Sequence, residues 1–161
     1  MQYVHPGAAI TFQDSGGSVT WTTNGIATTA GRISARADLT NPHSPWYTLT
    51  CTFRMNVAGT VGQRVEYYLA WSNGTHPDAE LGTADAAITN TNAPNNILNM
   101  KPALTVIVDK TTANTDITGS ALVNIPTQYV QVVLINQMTI QMQVSPNVNI
   151  CSLTPAPLEQ Q

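Results

Sequence analysis

Four side chains able to move a proton or grip a cation, His76, Asp78, Glu80 and Asp85, fall within ten positions of a chain otherwise poor in charge. Asp78-x-Glu80, with Asp85 and Asn73, offers the oxygen donors that a hard cation such as Ca²⁺ takes. The D-x-[DN]-x-[DN]-G spacing of a calcium loop is missing, so a solvated loop capped by Asx turns is the competing reading. Asp78 and Glu80 would suit the acid and nucleophile of a glycosidase only if the fold held them facing each other in a cleft, which neighbours on one loop do not establish. His5, His43 and His76 each stand beside a proline, and a zinc site would need them to converge. Ser15-Gly16-Gly17 and Gly59 to Gly62 read as hairpin turns, because no lysine or strand-glycine-helix pattern makes them phosphate loops. A nucleophile elbow and a cysteine-protease signature are also missing. The expectation is a protein without catalytic residues, metal or cofactor.

The aromatic residues suggest another chemistry. Trp21, Trp46 and Trp71, with Tyr47, Tyr67 and Tyr68, are the material of a stacking platform for sugar rings, as in carbohydrate-binding modules. Trp21 and Trp71 recur at strand period and read as core, whereas Trp46 follows Pro45 at a strand entrance and reads as a surface contact. Asn73-Gly74-Thr75 matches a glycosylation acceptor, but in this context it reads as a turn.

These residues must be held by strands. Val65, Tyr67, Leu69 and Trp71 recur every second position, and Tyr68 and Ala70 on the opposite face are amphipathic or apolar, so this segment reads as a central strand covered on both sides. Tyr47, Leu49, Cys51, Phe53 and Met55 make a second strand. The spacing predicts a hairpin from residues 8–12 and 18–23, a half-buried edge strand over 31–39 with Ile33, Ala35, Ala37 and Leu39 on one face, and a possible helical turn over 84–88. Further strands are expected at 104–108, 119–125, 129–136, 140–144 and 148–153, with 129–136 apolar on both faces. The stretch 90–99 is Asn-rich and interrupted by Pro94. About nine or ten short strands without a convincing helix imply an all-β fold, an antiparallel β-sandwich of jelly-roll or Ig-like type.

At 161 residues the chain reads as one domain, 1–161, with short arms at 1–7 and 154–161; the proline-rich tail looks unable to continue a sheet. Charged residues make up 9% of it, against about 25% in typical globular proteins, so its surface should be neutral and polar. A net charge of -3 with six scattered basic residues argues against nucleic acid as a partner. The first residues lack the pattern of a signal peptide, and no apolar run approaches the roughly 20 residues of a membrane helix, so synthesis in the cytoplasm and no membrane partner are expected. Cys51 and Cys151 read as buried free thiols; the alternative is a bridge tying the 47–53 strand to the last one.

Gly31-Arg32-Ile33-Ser34-Ala35-Arg36, the strand Val65 to Trp71 running into Ser72-Asn73-Gly74-Thr75, and Gly82-Thr83-Ala84-Asp85-Ala86-Ala87 resemble a group of small virion proteins of tailed bacteriophages. The similarity spans roughly residues 8–155 and carries no catalytic residue. It favours a jelly roll and implies a capsid decoration, or cement, protein made in the host cytoplasm and placed on the virion surface. Its partners would be the major capsid protein and copies of itself, with a trimer favoured. A phage tail or baseplate component and a carbohydrate-binding, adhesin-like module are the alternatives. The contact residues expected on this reading are Trp46, Asn73, His76, Asp78, Glu80, Asn95, Asn96, Pro155 and Pro157.

Overall fold

A computed structural model of the chain describes residues 8–40, 43–72, 82–88 and 100–156. Among these residues it contains eleven strands and no helix: β1 (Ile10–Gln13), β2 (Val19–Thr20), β3 (Gly31–Ile33), β4 (Ala37–Asp38), β5 (Trp46–Phe53), β6 (Arg64–Ser72), β7 (Ala86–Ile88), β8 (Lys101–Ile107), β9 (Ile117–Asn124), β10 (Tyr129–Asn136) and β11 (Ile150–Pro155). They form a β-sandwich. One sheet runs β2-β1-β11-β5-β9; the other runs β7-β3-β10-β6-β8, with β4 also on β10. All pairings are antiparallel except β1 with β2.

Period-two patterning explains the core. The inward residues of β5, Tyr47, Leu49, Cys51 and Phe53, pack with Phe12 and Leu153 against Val65, Tyr67 and Leu69 of β6 and Val130, Val132 and Leu134 of β10. Trp21 is fully buried and meets Phe12 and Tyr67 edge-on, both at 6.5 Å between ring centroids. A second cluster, built on Ile33, Ala70, Val133 and Ile135 with Ile88 and Met100, is buried on the outer side of the six-stranded sheet. Cover on both faces of β6 and β10 is therefore as the sequence implies.

Several local expectations are corrected. Residues 10–13 and 19–20 do not form a hairpin: β2 lies parallel to β1, with Phe12 opposite Val19, and Trp21 N–H donates to Gln13 C=O at 2.9 Å. The strand expected over 31–39 breaks at Ser34–Arg36. There Ala35 N–H bonds Thr20 C=O and Arg36 N–H bonds Thr83 C=O, each at 2.9 Å. The break shifts the side-chain phase, so Ile33 joins the outer cluster while Ala37 and Leu39 join the main core. β3 is also not an edge, since β7 flanks it. Residues 86–88 are strand rather than helical turn, and 140–144 supply only an isolated bridge, Met142 to Met55.

The C-terminus also departs from expectation. Thr154 and Pro155 continue β11 opposite Thr48 and Tyr47, so the tail is sheet further than its prolines suggested. Ala156 N–H donates to Trp46 C=O, so in this alternation the backbone N of Pro155 faces the β1 side. β1 ends its pairing at Ile10 with Leu153, and the missing N–H is lost where no ladder continues.

Cys51 and Cys151 are not free. They sit opposite each other in the β5–β11 ladder with Cα atoms 4.2 Å apart and form a disulfide. The short Cα separation marks a non-hydrogen-bonded pair, the position where facing side chains approach most closely.

Candidate functional site

Of the expected contact residues, Asn73, His76, Asp78, Glu80, Asn95, Asn96 and Pro157 lie outside the described residues. Trp46 opens β5 half-buried, its C=O accepting from Ser44 Oγ at 3.0 Å as well as from Ala156. Pro155 is buried within β11, which corrects its assignment to a free docking arm. Among the described residues no group of three or more His, Cys, Asp or Glu could hold a metal ion.

Asp85, the described member of the acidic stretch, is already engaged. Arg32 on β3 donates Nε to its Oδ1 and Nη2 to its Oδ2, both at 2.7 Å, and Thr22 adds its hydroxyl at 2.6 Å and its backbone N–H at 3.2 Å. Burial works against ionisation of Asp85, but Arg32 and Thr22 together outweigh it and hold the carboxyl below its ordinary value. The planar, two-pronged pairing suits arginine's fixed fork. It fastens the segment before β7 to β3 and to the chain beyond β2. Gly31 beside it is required for another reason: a Cβ there would lie 2.5 Å from Leu134 O, inside the β3–β10 ladder.

A second cluster appears on the outer face of β6, at the sheet edge. Glu66 and Tyr68 are two residues apart and so point the same way. Opposite them β8 carries Thr105 against Glu66 and Pro102 against Tyr68, and Ala103 is left out of register as a β-bulge. Among the described residues β8 is an edge strand, where a proline costs no ladder bond on its outer side. An open pocket of 270 Å³ results, lined by Glu66, Tyr68, Pro102, Ala103 and Thr105 among others.

The polar side of this pocket is pre-set. Glu66 Oε1 accepts from Arg64 Nε at 2.7 Å, and its Oε2 accepts from Tyr68 Oη at 2.9 Å and from Gln137 Nε2 at 3.4 Å. Burial alone would raise the Glu66 pKa, yet these donors bring it below the ordinary value. Tyr68 is pushed up to about 12, first by burial and then by the neighbouring carboxylate. The group therefore stands at neutral pH as a fixed carboxylate beside a neutral phenol. Sequence reasoning named Tyr68 as platform material but missed Glu66; the available signal was a carboxylate inside an apolar strand, two residues from a tyrosine.

No protein-family model matches the sequence, and no curated protein matches it. Solved structures align along the chain, among them the following two. The C-terminal domain of EclA, a sugar-binding protein, does so at 12% identity and a TM-score of 0.35, over 96% of this chain and 79% of that one. The N-terminal CBM22-1–GH10 modules of endo-1,4-β-D-xylanase 10B from Clostridium thermocellum, complexed with xylohexaose, align at 8% identity and a TM-score of 0.42, over 100% of this chain and 30% of that one.

Proposed function

We propose that this protein is a non-enzymatic structural component of a tailed-phage virion, a decoration protein that binds the outside of the major capsid protein's shell as an oligomer, with a trimer favoured. The observation that carries this reading is the use made of the residues behind the virion-protein resemblance. Gly31, Arg32 and Asp85 are committed to strand approach and to a bidentate ion pair, so their roles are to hold a shape. What such a fold offers a partner is surface.

That surface suits association by burial. The outer face of the five-stranded sheet carries no charged side chain on its strands, and four of its hydroxyls pair across them, Thr50 with Ser120 at 2.9 Å and Thr52 with Thr118 at 2.8 Å. A face without charge costs less to dehydrate than a charged one, and the paired hydroxyls lower that cost further. Among the described residues strands β8 and β9 are each the edge of a sheet and pack near one another, with Ile107 58% and Leu122 63% exposed, which suits a copy of the same chain at that side. Binding only to the assembled shell stabilises it by mass action.

The test is to add purified protein to shells stripped of it. Co-sedimentation together with a higher disruption temperature is expected; shells that neither bind it nor gain heat resistance remove the reading. A second reading, a glycan-binding module displayed on the particle, is favoured by the pocket between Tyr68 and Pro102.

A further inference from the structure

We propose that the notch between β6 and β8 is a binding subsite for one ring of a neutral saccharide. This rests on the second reading, glycan binding, and is independent of whether the protein decorates a shell.

Size, charge and chemistry each narrow the ligand. At 270 Å³ the pocket lies just below the roughly 300–1,000 Å³ that enclose drug-sized molecules, so it takes one ring rather than an oligosaccharide. The one charged residue lining it is Glu66, whose carboxylate the adjacent Arg64 guanidinium neutralises. An anion would meet Glu66 and a cation would have to displace Arg64, so a neutral ligand fits best. Tyr68 and Pro102, paired across the ladder, supply an apolar surface, while Glu66 accepts and the Thr105 hydroxyl can both donate and accept. A ring with an apolar C–H side and hydroxyls around its rim presents the complement of that arrangement.

Pre-organisation strengthens the case. Glu66 is held from three sides before any ligand arrives, by Arg64, Tyr68 and Gln137, and its side chain is still 18% exposed. A carboxylate fixed in this way loses little freedom on accepting two adjacent hydroxyls. A single open subsite of this kind binds weakly, with a Kd on the order of 1 mM.

The experiment is a titration of the isotope-labelled full chain with the methyl glycosides of glucose, galactose, mannose and N-acetylglucosamine, followed by amide chemical shifts. Saturating shifts confined to residues 66–68, 103–105 and 137 are expected for at least one sugar, Pro102 having no amide proton to report. Glu66→Gln keeps the shape and Tyr68→Ala removes the ring; each should weaken binding by about tenfold or more, given the strength of a charge-assisted hydrogen bond. Unchanged thermal unfolding of Glu66→Gln establishes that the loss is local. Shifts mapping elsewhere on the molecule would overturn this site while leaving glycan binding standing. Absence of shifts with every sugar would overturn both, and undiminished binding by Glu66→Gln would overturn the site.

Discussion

Replacing both cysteines by alanine should reveal how much of this sandwich's stability comes from one covalent link. Cys51 and Cys151 are 100 positions apart, and closing a loop of that length removes about 4.7 kcal/mol of chain entropy from the unfolded state. Both side chains are buried, at 0% and 1% exposure, so Cys51→Ala with Cys151→Ala also sacrifices contacts, roughly a further 1 kcal/mol. The expected loss is therefore about 5 to 6 kcal/mol. For a chain of this size that corresponds to a fall in Tm of roughly 10–20 °C. Alanine is the better choice over serine, because a hydroxyl buried there would add an unpaired polar group to the cost. The assay is thermal and urea unfolding of the double variant beside the oxidised wild type, with thiols counted in denaturant without reductant. Two reactive thiols in the wild type, or midpoints within about 1 °C of each other, would refute the reasoning.

Further perturbations probe single features. Asp85→Asn should cost roughly 2 kcal/mol at neutral pH, as expected for breaking a partly buried, two-pronged pair. Because Asp85's folded pKa is depressed, its contribution is complete above the ordinary carboxylate value of 3.8 and is lost as pH falls through the lower folded value; the Tm gap between wild type and variant should therefore close below that pH. Tyr67→Phe should be neutral or stabilising by up to about 1 kcal/mol in urea unfolding, since the Tyr67 hydroxyl is buried without a hydrogen-bond partner among the described residues. Asn136→Ala should destabilise by about 3 kcal/mol, because the buried Asn136 amide donates to Ile26, Ala27 and Ile140 carbonyls and its oxygen accepts from Met138 N–H.

Long, regular strands were legible in the sequence because period two and burial agree in them. The alternation from Tyr47 to Phe53 and from Val65 to Trp71, and the two-sided apolar run of β10, reappear as the sheets' central strands. Where tertiary hydrogen bonds decide, local pattern failed. Ser34–Arg36 breaks phase because distant carbonyls of Thr20 and Thr83 claim its amides. Residues 140–144 alternate yet form no strand, since their backbone is bonded by Gly25, Ile26 and Arg54 and by the side chains of Asn136 and Asn149. The glycine turn at Gly16-Gly17 suggested a hairpin, but the chain crosses back to lay β2 parallel to β1. The disulfide was visible only as an alternative, because pairing two cysteines 100 positions apart requires the β5–β11 register. Of the pocket, the shared face of Glu66 and Tyr68 could be read from spacing, whereas the bulge at Ala103 and the approach of Gln137 could not.

Whether the chain acts as surface bound to a viral shell, as proposed, can be seen by electron cryomicroscopy of the particle that carries it. A decoration protein would give density for two packed sheets, of five and six strands, seated on the outside of the capsid at junctions between major capsid subunits, in groups of three. A shell whose outer surface is bare at every such junction, in a particle shown by mass spectrometry to contain the protein, would contradict it.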